Sequence, residues 1–515
     1  MHKRLLAGVT FALFSGLSSN AELLTDGLHL ALEASATTSS GDFAPMWLTS
    51  NRYGIVSPYC NSAYQRAFLS RGTEADSCKQ WKIGYGIDIV ANEHGLAPVM
   101  IHQAFGEVRY KLGSLTVGQK EIPMEYKNNM LSSGAQALGI NTVPIPQVRL
   151  ELNDYWIIPL GGRWVGFKGH VAFGRYTDDN WQKDFTHKER KYVEDQLYHS
   201  KAGFLRIHKP TSPLSITLGI EMAAQFGGTS YNIIGPEGPT TVKNGSGIKS
   251  FLNALMPGFG GDKGEGVYAN SEGNTLGSWI ARVDYKAKGS TFSLYADKFF
   301  EDHSAMFQLD YDGYGTGEDW NKKVGKRFIM YDFPDIMLGA EWKKHEPWYV
   351  DNVVVEYLHT KYQSGPINHD RTPQMSDHTA GLDCYYEHYM YSGWQHWGMV
   401  SGNPLYLSSY YNNDADYTSH CTRFVAFHTG IGGTILPKLT YRLLASWQKG
   451  WGTYYHILPD PQKNFSWMCE VKYSNFKMLG SNCWDVYASI GADSGKLRGN
   501  NFGVQATLRK TFKLF

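Results

Sequence analysis

The sequence reads as an all-β chain and, within that class, as a transmembrane antiparallel β-barrel. Its dominant pattern is alternation with period two, in which apolar residues share one face and polar residues or glycine the other. Mean hydropathy is only −0.37, and past residue 21 no stretch approaches the roughly 18 consecutive apolar residues of a membrane-spanning helix. A barrel that alternates apolar-out with polar-in averages to such a value. The 33 Tyr, 15 Trp and 55 Gly suit many short strands with aromatic girdles at two membrane interfaces.

The elements follow in chain order. His2, Lys3 and Arg4 precede the apolar stretch from Leu5 to Leu17, and Ser19-Asn20-Ala21 matches a small-x-small cleavage site. Residues 1–21 are therefore expected to be an export signal, with a mature start at Glu22. Residues 22–75 lack clean alternation and are read as an N-terminal region holding a first strand plus a plug or periplasmic cap. Residues 76–515 are read as the barrel, placed in the outer membrane.

Clear strand patterns include Trp81-Ile83-Tyr85-Ile87-Ile89 and Leu214-Ile216-Leu218-Ile220-Met222. Leu439-Tyr441-Leu443-Ala445-Trp447 and Phe465-Trp467-Cys469-Val471-Tyr473 behave alike. In the second run Leu218 is assigned to lipid and its neighbour Thr217 to a wet lumen. A soluble β-sandwich shares this alternation strand by strand. The barrel is favoured because alternation continues through Phe502, Val504, Ala506, Leu508, Phe512 and Leu514, the chain ends on Phe515, and Trp81, Trp279, Trp342 and Trp447 sit at strand ends. Lys510 on the apolar side and Phe515 on the polar side break the register. Residues 228–276, rich in Gly, Pro, Asn and Ser, are expected as a long outer loop with a short helix around Ile248–Leu255. Residues 366–380 and 411–421 read as polar connections.

A formal charge of +1 excludes a basic field for nucleic acid. No GxSxG, HExxH or P-loop occurs, so no catalytic residue, cofactor or metal is assigned. Six cysteines are compatible with an oxidising compartment, and Cys60 with Cys78 is the most local pairing.

Two segments carry binding chemistry. In Phe299–Phe307, Glu301, Asp302 and His303 lie between aromatics. They could ligate a metal or hydrogen-bond sugar hydroxyls, or they could form an ordinary polar strand end. In Tyr391–Gly398, and on through Asn403, the residues Trp394, His396, Trp397 and Asn403 combine rings that stack on pyranose C–H faces with amide and imidazole groups for hydroxyls. An interface belt of aromatics is the competing reading.

These segments and others resemble the capsule assembly Wzi family, in its Bacteroidetes-type branch. The resemblance rests on Ala44–Gly54 (APMWLTSNRYG), Pro144–Arg149 (PIPQVR), Glu272–Trp279 (EGNTLGSW), Phe300–Phe307, Glu356–Pro366 (EYLHTKYQSGP) and Ser392–Pro404, in order along most of the chain. It implies a barrel of about 18 strands with helical elements on the periplasmic side. It also implies a non-catalytic, lectin-like surface anchor that helps attach capsular polysaccharide to the cell. The expected partners are that polysaccharide, outer-membrane lipids and the capsule export machinery. A porin-like channel for sugars or small solutes and a barrel hydrolase remain as alternatives.

Overall fold

The computed structural model describes residues 25–514, apart from 160, 236–237, 257–272, 302–306, 315–317, 319–321, 331–333, 370–377, 383 and 479–480. The expected export signal, Asp302, His303 and Phe515 lie outside the described residues.

Nineteen strands form one sheet. One of them, Trp156–Ile157, has only two residues; the other 18 form a closed antiparallel barrel. In chain order these are β1 (Leu28–Ser40), β2 (Ser62–Arg71), β3 (Trp81–Glu93), β4 (Val99–Tyr110), β5 (Gly113–Gln119) and β6 (Gln147–Leu152). Next come β7 (Val165–Arg175), β8 (Leu197–His208), β9 (Leu214–Phe226), β10 (Asn274–Ala287), β11 (Ser290–Glu301) and β12 (Ile336–Lys344). The last six are β13 (Asn352–His359), β14 (Phe424–Leu436), β15 (Leu439–Gly452), β16 (Ile457–Met478), β17 (Ser481–Gly495) and β18 (Asn501–Lys513). Each strand pairs with the next, and β1 closes on β18 in a register running from His29↔Lys513 to Ser40↔Phe502. Closure leaves no edge and satisfies the backbone within the wall, as hydrocarbon demands.

The alternation sorts each strand into two environments. Leu218 on β9 is 52% exposed on the outside, while Thr217 is 1% exposed on the inside. The faces are as expected, but the lumen beside Thr217 is packed rather than wet. At one rim the turns are short, such as 111–112, 288–289 and 437–438, and both ends of the barrel sheet lie there. Trp81, Tyr110, Trp156, Trp164, Tyr285 and Phe292 are exposed around this rim as an aromatic girdle. The other rim carries the long connections, including 227–273 and 360–423. In barrels of this kind, short turns face the periplasm and long loops face outward. Lys510, the register breaker, lies at the short-turn end with its ammonium 4.7 Å from the Trp484 ring centroid, a cation–π contact that accommodates it beside the girdle.

Several details differ from the sequence reading. Residues 22–75 supply two strands, β1 and β2, joined by a segment that folds into the lumen. Among the described residues the α-helices are α1 (Met46–Thr49), α2 (Trp181–Phe185) and α3 (Ile248–Leu255), all in long-rim connections. Among the described residues the short-turn rim carries the 3-10 turns Thr73–Asp76 and Gly161–Arg163. Residues 366–380 include parts of a hairpin, Ser364–His369 with His378–Leu382. All six cysteines are free, and β2 separates Cys60 from Cys78, holding them at opposite rims.

Candidate functional site

Three long-rim connections fold back into the barrel and fill it. Buried carboxylates and hydroxyls on the inward faces of the strands hold them there. In the first connection, 41–61, all four residues of α1 are buried. The Met46 N–H donates to Asp493 (3.0 Å) and the Trp47 indole N–H to Ser446 (3.2 Å), while Arg52 pairs with Glu470 at 2.6 Å.

The second, 120–146, reaches deepest. Glu356 of β13 accepts from the Ser132 hydroxyl (2.6 Å), the Ser133 N–H (2.7 Å) and the Tyr295 hydroxyl. Asp297 of β11 takes the Gln136 N–H (3.2 Å) and pairs with Lys127 (3.3 Å). The Tyr126 hydroxyl meets Tyr155 of the short-turn rim.

The third connection, 384–421, closes the outer half. Tyr386 and Tyr406 stack at 3.9 Å, the Tyr386 N–H donates to Glu301 (2.7 Å), and Arg498 donates to Gln448 (2.7 Å) and the Pro404 carbonyl (3.0 Å). Gly402 sits so close to the Gln136 carbonyl and the Tyr386 hydroxyl that any side chain there would collide with both.

This plug contains most of the residues assigned to sugar binding from sequence. Trp394 is 1% exposed, and its N–H donates to the Ala137 carbonyl (2.8 Å). The His396 ring nitrogens lie 2.8 Å from the Val143 carbonyl and 3.0 Å from that of Thr177. The Asn403 amide donates to Ser133 and to the Gly134 carbonyl, both at 3.0 Å. Glu301 is buried against Tyr386. These side chains are brought together, but as the plug's internal bonds, and no ring face is left for a pyranose.

Trp397 differs. It is 6% exposed, has left-handed backbone (φ 54°), and its indole N–H lacks a partner among the described residues. Such a conformation costs a non-glycine residue ~1–2 kcal/mol. Trp397 lines a groove of about 910 Å³ at the outer rim, together with Asp178, Asp179, Asn180 and Gln182. The groove exists because the wall is low there: β5 and β6 have seven and six residues, against 22 in β16. At its margin Lys183 pairs with Glu194 (2.6 Å) and Arg175 with Asp195. Neither Asp178 nor Asp179 has a cationic partner among the described residues, so the groove offers carboxylate acceptors for hydroxyls, while the Trp397 indole N–H is itself buried. Asp178 and Asp179 were not singled out from sequence.

Two further surfaces bear on binding. Tyr389 and Tyr455, on long-rim connections, are 63% and 83% exposed, the kind of ring a sugar can stack on. Asp414, Asp416 and His420, in the 384–421 connection, present ligand atoms within 4.8 Å of one another, as do Asp88, His102 and Glu121 among the described residues. Burial pushes the Asp416 carboxyl up, but His420 and Thr418 outweigh it and hold it down at about 2. On the opposite side of the plug, a vestibule of about 740 Å³ is lined by Arg282, Glu341, Arg442 and Glu470, among others.

No sequence family and no curated protein matches the chain. Solved structures do. Wzi of Escherichia coli, described as an outer-membrane protein involved in group 1 capsule assembly and a carbohydrate-binding β-barrel, is similar over 99% of this chain and 88% of its own, with TM-score 0.56 and 12% identity. OccK8 (OprE) of Pseudomonas aeruginosa is similar over 94% of this chain and 97% of its own, with TM-score 0.46 and 7% identity. At such identities the likeness is one of fold. This chain is an outer-membrane β-barrel.

Proposed function

We propose that this barrel is a non-catalytic, lectin-like anchor that holds capsular or another surface polysaccharide at the cell through its outer rim. The observation that carries this reading is the plug. With loops bonded into the lumen, the surface left for a partner is the outer rim, with its groove at Trp397 and the rings of Tyr389 and Tyr455. A repeating polymer engaging several weak subsites is retained far better than any single sugar unit would be. The Wzi likeness in fold agrees with this reading. In it, His396, bonded to the Val143 and Thr177 carbonyls, positions residues that line the groove, Trp394, Asn403 and Glu301 hold the plug together, and Trp397 touches sugar. Residues 1–21 are a cleaved signal, so N-terminal sequencing of the mature protein should begin at Glu22.

The test is retention. Cells lacking the protein should shed polysaccharide that wild-type cells keep attached, and purified barrel should pull down polymer in a way free oligosaccharide blocks. Unchanged retention together with no pull-down would sink the proposal. A channel for small solutes is the second reading, favoured by the charged vestibule of about 740 Å³ on the short-turn side.

A further inference from the structure

The long connection 227–273 was expected to project outward, yet part of it folds down the outside of the barrel. The helix expected at Ile248–Leu255 forms over those residues as α3. Its inner side packs on outward-facing residues of β7, β8 and β9. The Phe251 ring lies 5.4 Å from that of Phe173 and 5.1 Å from that of Phe226, and Ala254 packs with Ala224 and Phe226.

The covered patch is unlike the wall below it. Lower on the same strands the outward residues are Val171, Leu205, Ile207, Leu214 and Leu218, all exposed as a lipid belt requires. Under α3 the outward positions include His199, fully buried and stacked 4.3 Å from Phe173, and Lys201. Lys201 pairs with Met222 in the β8–β9 register. That is roughly 20 Å above Leu214 for tilted strands, near the outer edge of an apolar band about 25 Å tall. An ammonium pointing outward there would meet hydrocarbon. Instead it donates to the Ala254 carbonyl (3.1 Å) and the Leu255 carbonyl, which the end of a helix leaves unsatisfied. Helix and lysine thus satisfy each other on the outer wall.

The far side of α3 shows Ile248, Leu252 and Met256, 82%, 55% and 50% exposed. Their spacing of four residues makes one stripe. The helix has no acidic residue in its first turn, and its polar Ser250 and Asn253 are buried. Large apolar side chains are thus turned away from the protein at the level where the lipid belt of the wall ends.

We propose that α3 is an in-plane amphipathic helix seated in the outer leaflet, where its Ile248–Leu252–Met256 stripe contacts lipid acyl chains in place of the barrel wall beneath it. It extends the lipid-facing surface sideways and shields Lys201 and His199 from hydrocarbon.

The test uses the full chain in phospholipid nanodiscs, with Cys60, Cys78, Cys469 and Cys483 replaced by alanine and a nitroxide attached at Leu252→Cys. Molecular oxygen concentrates in lipid and a nickel chelate stays in water, so their relative effect on the spin label reports depth. Leu218→Cys on the wall is the lipid reference and Asn180→Cys in the groove the water reference. The oxygen-to-nickel ratio at 252 should be several-fold above that at 180 and close to that at 218. A ratio matching 180, or poor access by both reagents because protein covers the stripe, overturns the proposal. Folding is checked by heat-modifiability, and Ile248→Cys gives the same reading should Leu252→Cys fail to assemble.

Discussion

The outer wall and the lumen of this barrel accommodate their side chains by opposite chemistry. On the wall, Leu218, Leu294 and Leu150 stand 52%, 64% and 64% exposed and are dry only because lipid surrounds them. In the lumen, Glu356, Asp297 and His428 are at most 1% exposed and are tolerated only because loops bring them donors and acceptors. The wall depends on the membrane, whereas the lumen depends on its plug. A channel would have filled the second region with water. This protein packs residues 41–61, 120–146 and 384–421 into it.

The largest expected effect lies at the plug's seat. Glu356→Ala strands the Ser132, Ser133 and Tyr295 donors together, at about 3 kcal/mol or more from orphaned buried groups. The folded form should convert to the unfolded band at a clearly lower temperature on a denaturing gel. Unchanged conversion would mean the plug is not held there. On the wall, Leu218→Arg places a cation in hydrocarbon at roughly 2–4 kcal/mol near the midplane. Its inward neighbour Thr217→Ser removes only one methyl, worth about 0.8 kcal/mol. Equal loss of assembly in the two variants would mean the faces are misassigned.

The smallest structural effects, and the most informative functional ones, are expected at the rim. Trp397→Phe keeps a ring in its pocket but removes the unpartnered N–H, and Tyr389→Ala and Tyr455→Ala trim exposed rings. All three should assemble with normal heat-modifiability and lose polysaccharide in a pull-down. Full retention in all three would move the binding surface elsewhere.

The wall was legible in the sequence because lipid imposes a period: Phe502, Val504 and Ala506 alternate with Gly503, Gln505 and Thr507, and the strand is read directly. The plug has no period to read. Trp394, His396 and Asn403 look the same whether they bind a sugar or the Ala137, Val143 and Gly134 carbonyls, because ring and amide chemistry serves both. Only burial separates the cases, and burial depends on contacts more than a hundred residues away in sequence. One signal was available. Asp297, Glu356, Glu470 and Asp493 fall on the polar face of alternating strands, and a carboxylate there needs donors from something inside the barrel. The groove was hidden for another reason: it follows from the short length of β5 and β6, which the pattern alone does not bound.

The account stands most directly on the lumen being closed. Purified wild-type protein, folded by heat-modifiability and inserted into planar bilayers, should show no steady ohmic conductance of porin size. Sustained large openings by the wild-type barrel would contradict the plug as the resting state and return the protein to the channel reading.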